Sequence, residues 1–147
     1  MTISSPDFSN NGRIPDKYTC KGDNVSPALK FDLVPDGTKS LALIIDDPDA
    51  PGGTFNHWLV WNIPAATRDL PEAWPASGAV AGTNGFGRAA YGGPCPPPGH
   101  GPHHYHFKLY ALDNNLALPA GATRTKFNQA IKGHVLDQAE LVGTFER

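Results

Sequence analysis

Two segments of this chain join stiff Pro/Gly turns to acids, imidazoles and a phenol. The first is Asp47-Pro48-Asp49-Ala50-Pro51, with His57 close behind. The second is Gly92-Gly93-Pro94-Cys95-Pro96-Pro97-Pro98, which leads to His103-His104-Tyr105-His106. Proline fixes φ and glycine admits values closed to other residues, so such turns hold nearby side chains in a set direction. Two of them in one chain favour a β scaffold whose loops meet in a pocket.

A chain of 147 residues suits one domain with a real core, taken here as residues 1–147. The formal net charge of −2 gives no concentrated basic patch, so neither nucleic acid nor an anionic membrane is an expected partner. No apolar run approaches the length of about 20 residues that spans a bilayer, so stable membrane insertion is not expected. Met1-Thr2-Ile3-Ser4-Ser5-Pro6 has neither a basic start nor an apolar stretch, which reads as cytoplasmic rather than secreted. Gly and Pro, 16 and 15 residues, fall short of low-complexity levels and read as frequent turns. Cys20 and Cys95 are too few for a disulfide scaffold. In a reducing cytosol they are expected to be two thiols, with Cys95 structural between its prolines.

Ser40–Asp46, His57–Ile63 and His103–Leu112 read as the strong strands, with Ala28–Leu33 and Leu141–Phe145 as weaker ones. Asn10-Asn11-Gly12, Pro35-Asp36-Gly37 and Asp113-Asn114-Asn115 punctuate them. One helix is expected after Thr123 or Thr125, with Phe127, Ala130, Ile131 and His134 along one face and Gly133 near its end. Most strands precede the only good helix. That order predicts a mainly β fold, a two-sheet antiparallel sandwich with one or two peripheral helices, rather than βαβ repeats.

Strand alternation then selects which side chains can meet. His103, Tyr105, Phe107 and Leu109 share one face; His104, His106, Lys108 and Tyr110 share the other. His57 falls on the face of Leu59, Trp61 and Ile63, and Asp47 and Asp49 lie where the first strand turns. A site of Asp47, His57, His103 and Tyr105 is consistent with this geometry. Its chemistry suits an oxyanion: imidazolium donates from both nitrogens, a nearby carboxylate favours that form, and the phenol adds a donor. Free amides at Gly92 and Gly93 would complete an anion nest. His100, His104 and His106 are expected to be solvated.

In number and order these motifs resemble the phosphatidylethanolamine-binding protein family, and its short prokaryotic Raf kinase inhibitor-like branch in particular. Tyr18-Thr19-Cys20, Asn24-Val25-Ser26-Pro27, Gly82-Thr83-Asn84, Phe86-Gly87 and Ala139-Glu140-Leu141-Val142-Gly143-Thr144 extend the likeness over nearly the whole chain. The resemblance implies a β-sandwich with a small anion pocket for phosphate-like or carboxylate ligands, phospholipid headgroups among them. By position it implies Asp47, His57, His103 and Tyr105 as lining, with Asp49, Pro51, Gly93 and Pro94 nearby. It also implies a homodimer and a protein partner such as a kinase. Two departures stand out. His104 occupies a position where the family usually has Arg, and only Gly52–Asn56 separates the first motif from His57, where eukaryotic members carry an insertion.

Two other functions compete. A hydrolase-type enzyme would use Asp47, His57 and His103 as acid–base groups and the Gly92–Gly93 amides as an oxyanion hole. The chain has no Gly-x-Ser-x-Gly elbow, no Walker loop and no reactive nucleophile beside the imidazoles. A metal protein would build on His104-x-His106, but the three or four ligands of a tight site are not evident. The expectation is a non-catalytic module with no cofactor and no metal.

Overall fold

A computed structural model describes residues 1–147. In chain order the elements are β1 (Thr2–Ser4), β2 (Gly12–Arg13), a 3-10 turn (Asp16–Tyr18), β3 (Leu29–Asp32), β4 (Ser40–Asp47), β5 (Phe55–Pro64), β6 (Asp69–Leu70), β7 (Val80–Ala81), β8 (His103–Leu112), α1 (Arg124–Ile131) and β9 (Val135–Phe145).

Every residue of β4 is buried. Such a strand needs cover on both faces, so it belongs in the middle of a sheet. It lies between β5 and β8 in a six-stranded sheet of order β2-β9-β8-β4-β5-β7. A three-stranded sheet, β1-β3-β6, packs over one face. The fold is mainly β with two sheets, as expected. One pairing departs from the antiparallel expectation: β2 runs parallel to β9 over Gly12–Arg13, at the sheet edge.

The alternation of β4 divides the core in two. Leu41, Leu43 and Ile45 join Phe31, Val60, Phe107 and Leu109 between the sheets. Ala42 and Ile44 face the other way and pack with Leu59, Trp61 and Phe127 beneath the helix. An eight-residue helix is marginal alone, so α1 persists through this packing. Its N-cap is Thr123, whose side chain accepts from the Lys126 amide at 3.3 Å. Ala130 and Ile131 share the packing of Phe127, whereas His134 lies beyond the helix and bonds Asp113 at 2.8 Å.

Two corrections concern the frame of the site. The β4–β5 register slips between Ile45 and Asp46: Ile45 pairs with Trp58 and Asp46 with Asn56, so His57 is the extra residue of a β-bulge. Strict alternation placed His57 with Leu59 and Trp61, on what is the helix face. The bulge instead keeps it on the inter-sheet side, where it stacks edge-on against Tyr105 with centroids 5.2 Å apart. The second correction is that Cys20 and Cys95 are not two thiols. They form a disulfide with Cα atoms 5.4 Å apart, closing 75 residues of sequence.

Candidate functional site

The site gathers at one end of the central sheet, on its inter-sheet face. Along β8 the alternation points His103 and Tyr105 inward, each almost fully buried. Asp47 ends β4 on the same side. Its Oδ2 accepts from His103 Nδ1 at 2.6 Å and its Oδ1 from the Asp49 amide at 2.8 Å. The bulge adds His57. Asp47, His57, His103 and Tyr105 thus line a single cavity of about 220 Å³. Pro51, Ala50, Phe55, Phe86, Cys95, Pro96 and Pro97 complete its walls.

Each imidazole is held differently. His57 Nδ1 lies 2.7 Å from the carbonyl of Gly92. A carbonyl only accepts, so Nδ1 carries the proton. Burial holds the His57 pKa below its ordinary value, against the opposing pull of the Gly92 carbonyl and of Asp47. The ring is therefore neutral at pH 7, not the imidazolium expected from sequence, and Nε2 is its acceptor. His103 is engaged on both nitrogens: Nδ1 by Asp47, Nε2 by His100 Nδ1 at 2.6 Å. A chain of hydrogen bonds thus leads from a buried carboxylate to the exposed His100. Burial, reinforced by Asp47 and Asp49, raises the Tyr105 pKa well above the usual phenol range, so its hydroxyl keeps its proton.

Several residues expected at the pocket stand elsewhere. Gly93, Pro94 and Asp49 are not among the cavity walls. The Gly92 amide donates to the His57 carbonyl at 3.1 Å, and the Gly93 amide to Asn24 Oδ1 at 2.8 Å. The anticipated anion nest is thus already occupied by the fold itself. The Gly92 bond ties the 92–95 loop to β5, and the Gly93 bond, with the disulfide and the Cys20 amide on the Pro94 carbonyl, pins it to the Tyr18–Asn24 segment. Gly93 is required there, since a Cβ would lie 2.3 Å from the Tyr18 carbonyl. Asp49 accepts from the amide and Nδ1 of His104, at 2.9 and 2.7 Å, and His104 lowers its pKa. His106 bonds Glu140. No group of three or more His, Cys, Asp or Glu is arranged to hold a metal ion.

Sequence reasoning missed four contributors. Phe55 lies two residues before His57 on the same strand, so alternation alone places it on the same side. Phe86 sits on a loop ordered by Asn84 Oδ1, which accepts from the amides of Phe86 and Arg88 at 2.9 and 3.1 Å. No periodicity marks it. His100 is exposed, as expected, but it also bonds His103, a pairing for which the flanking Gly99 and Gly101 were the only sequence signal. Arg147 donates from Nε to the Pro96 carbonyl at 2.7 Å, and its own carbonyl accepts from the Gly99 amide at 2.9 Å. It holds a permanent cation against Pro96, behind the cavity wall rather than in it.

The family model for phosphatidylethanolamine-binding proteins matches residues 4–146. The chain belongs to this family. It is 53% identical over 147 residues to a UPF0098 protein of Pyrococcus horikoshii, an alignment covering 95% of this chain and 74% of that protein. It is 45% identical over 146 residues to a Mycobacterium tuberculosis protein, LppC, that carries a lipoprotein name; 99% of this chain and 72% of that protein are covered. The crystal structure of a phosphatidylethanolamine-binding protein homolog from Chlamydia trachomatis superposes with a TM-score of 0.94 at 40% identity, covering 99% of this chain and 97% of that one.

Proposed function

We propose that this member of the phosphatidylethanolamine-binding protein family binds small phosphate-class anions, free or as a phospholipid headgroup, and does so without catalysis. The observation that carries the reading is the convergence of Asp47, His57, His103 and Tyr105 on one cavity with aromatic walls. A few fixed polar groups on an otherwise apolar concave surface are the usual form of a small-ligand site. The Tyr105 hydroxyl supplies a donor, and Arg147 is a permanent positive charge near it.

The hydrolase alternative draws on the Asp47–His103 pair, which is an arrangement that orients a base. Against it, the Gly92 and Gly93 amides are spent inside the protein, leaving no oxyanion hole there. The Cys95 sulfur at the cavity is bound in a disulfide and is no nucleophile. That disulfide also weighs against the cytoplasmic placement on which the two-thiol expectation rested.

Titration calorimetry tests the reading. Inorganic phosphate and soluble glycerophosphoethanolamine form two arms that separate the free ion from the headgroup. Binding of either, weakened at least about tenfold by Tyr105→Phe combined with His103→Ala, supports it. No binding of either ligand, or equal binding by the double variant, contradicts it.

A further inference from the structure

Anion sites are ordinarily described by their donors; this one also contains an acceptor. We propose that His57 makes the cavity selective for ligands that carry a hydrogen-bond donor, such as hydrogen phosphate, over oxyanions that carry none, such as sulfate. The inference rests on the phosphate-class reading above and narrows it.

The argument is geometric. The Gly92 carbonyl fixes the His57 proton on Nδ1. Nε2 is then a lone pair, and the ring's position in the cavity wall makes it part of the binding surface. The ring cannot flip without cost, because Cδ2 would then take the place of Nδ1 and the Gly92 carbonyl would lose its donor. Phe55, Phe86 and Tyr105 pack around the ring at centroid distances of 4.9, 5.7 and 5.2 Å and hold its plane. The alternative, protonating Nε2 to make a second donor, is opposed by burial.

A ligand that fills the cavity excludes water from Nε2. A buried acceptor left without a donor loses its hydration and gains nothing in return. Sulfate at neutral pH is all acceptor, so it would set oxygen lone pairs against the nitrogen lone pair. Hydrogen phosphate has the same shape and charge but keeps one P–OH. It can donate that proton to His57 while another oxygen accepts from Tyr105. The same logic separates headgroups: an ethanolamine ammonium has N–H donors, whereas a quaternary choline has none.

The test compares matched pairs by calorimetry. At about pH 8 phosphate and sulfate are both chiefly dianions. Phosphate is expected to bind at least about tenfold more tightly than sulfate. Phosphoethanolamine should likewise exceed phosphocholine, since the two differ in the ammonium N–H donors alone. In His57→Phe, phosphate affinity should fall to the level of sulfate; a thermal melt of the variant confirms folding, and the two wild-type pairs need no variant at all. Equal or tighter sulfate binding by the wild type, or selectivity that survives His57→Phe, would overturn this inference and leave the phosphate-class reading standing. Failure of the wild type to bind any of the four ligands would overturn both.

Discussion

Asp46 and Asp47 are neighbours in β4, equally buried, and opposite in use. Asp46 faces the helix layer, where Lys108 Nζ and Arg124 Nη1 each approach Oδ2 at 3.1 Å. Asp47 faces the inter-sheet layer, where its partners are an imidazole and a backbone amide. Two permanent cations close the first site: its charge is balanced whatever the solution holds. The second is bonded to an imidazole whose other nitrogen connects to solvent through His100. A buried carboxylate has to be compensated in either case. The kind of partner chosen decides whether the place becomes a strut or a site.

The comparison can be broken at the helix face first, where the largest effect is expected. Phe127→Ala should cost about 3–5 kcal/mol in urea unfolding, through the cavity it leaves beneath α1. Phosphate affinity should stay within about twofold of the wild type, because the two layers share only the sheet between them. Loss of binding with a small stability change would show that the helix layer serves the site.

Next in size is the disulfide. Cys20→Ser with Cys95→Ser should lower stability by about 2–4 kcal/mol. It should also weaken phosphate binding, since Cys95 is part of the cavity wall. Asp46→Asn follows, at about 1–3 kcal/mol, from leaving two half-buried cations without their carboxylate. Its signature is unfolding at lower denaturant with phosphate binding unchanged.

The smallest effect is on pH dependence. The folded chain holds the His57 proton more weakly than the unfolded chain does. The contribution of His57 is therefore complete above the unfolded pKa of about 6.5 and declines as the pH falls from there toward the folded value. His57→Asn should flatten the stability profile as the pH falls below the unfolded imidazole pKa of about 6.5. Asp49 acts in a lower range. Its pKa is lowered in the folded state, so its contribution fades as the carboxylate protonates. An unaltered slope in the His57 variant would mean that the ring is not held neutral by burial.

The scaffold of the site was legible in the sequence where one face of a strand is uniform. His103–Leu112 alternates without interruption, so both its bounds and its inward face followed from the residues. His57 was found but placed on the wrong face, because a bulge adds a residue without leaving a mark in the hydrophobic pattern. The sequence leaves the Gly92 and Gly93 amides free for a related reason. Their partners, the His57 carbonyl and Asn24, come from distant chain, and hydrogen bonding across 69 residues of sequence has no local signature. The two-residue strands β2, β6 and β7 are too short for any period to register. The pairing of Cys20 with Cys95 was hidden by an assumption about compartment rather than by the residues.

Imidazole and tyrosine resonances followed during a phosphate titration address the central claim most directly. The account predicts that the His57, His103 and Tyr105 side chains shift together and saturate at one dissociation constant, while the Lys108–Asp46–Arg124 cluster on the other face stays still. Shifts confined to that cluster, or none at the three cavity residues, would contradict it.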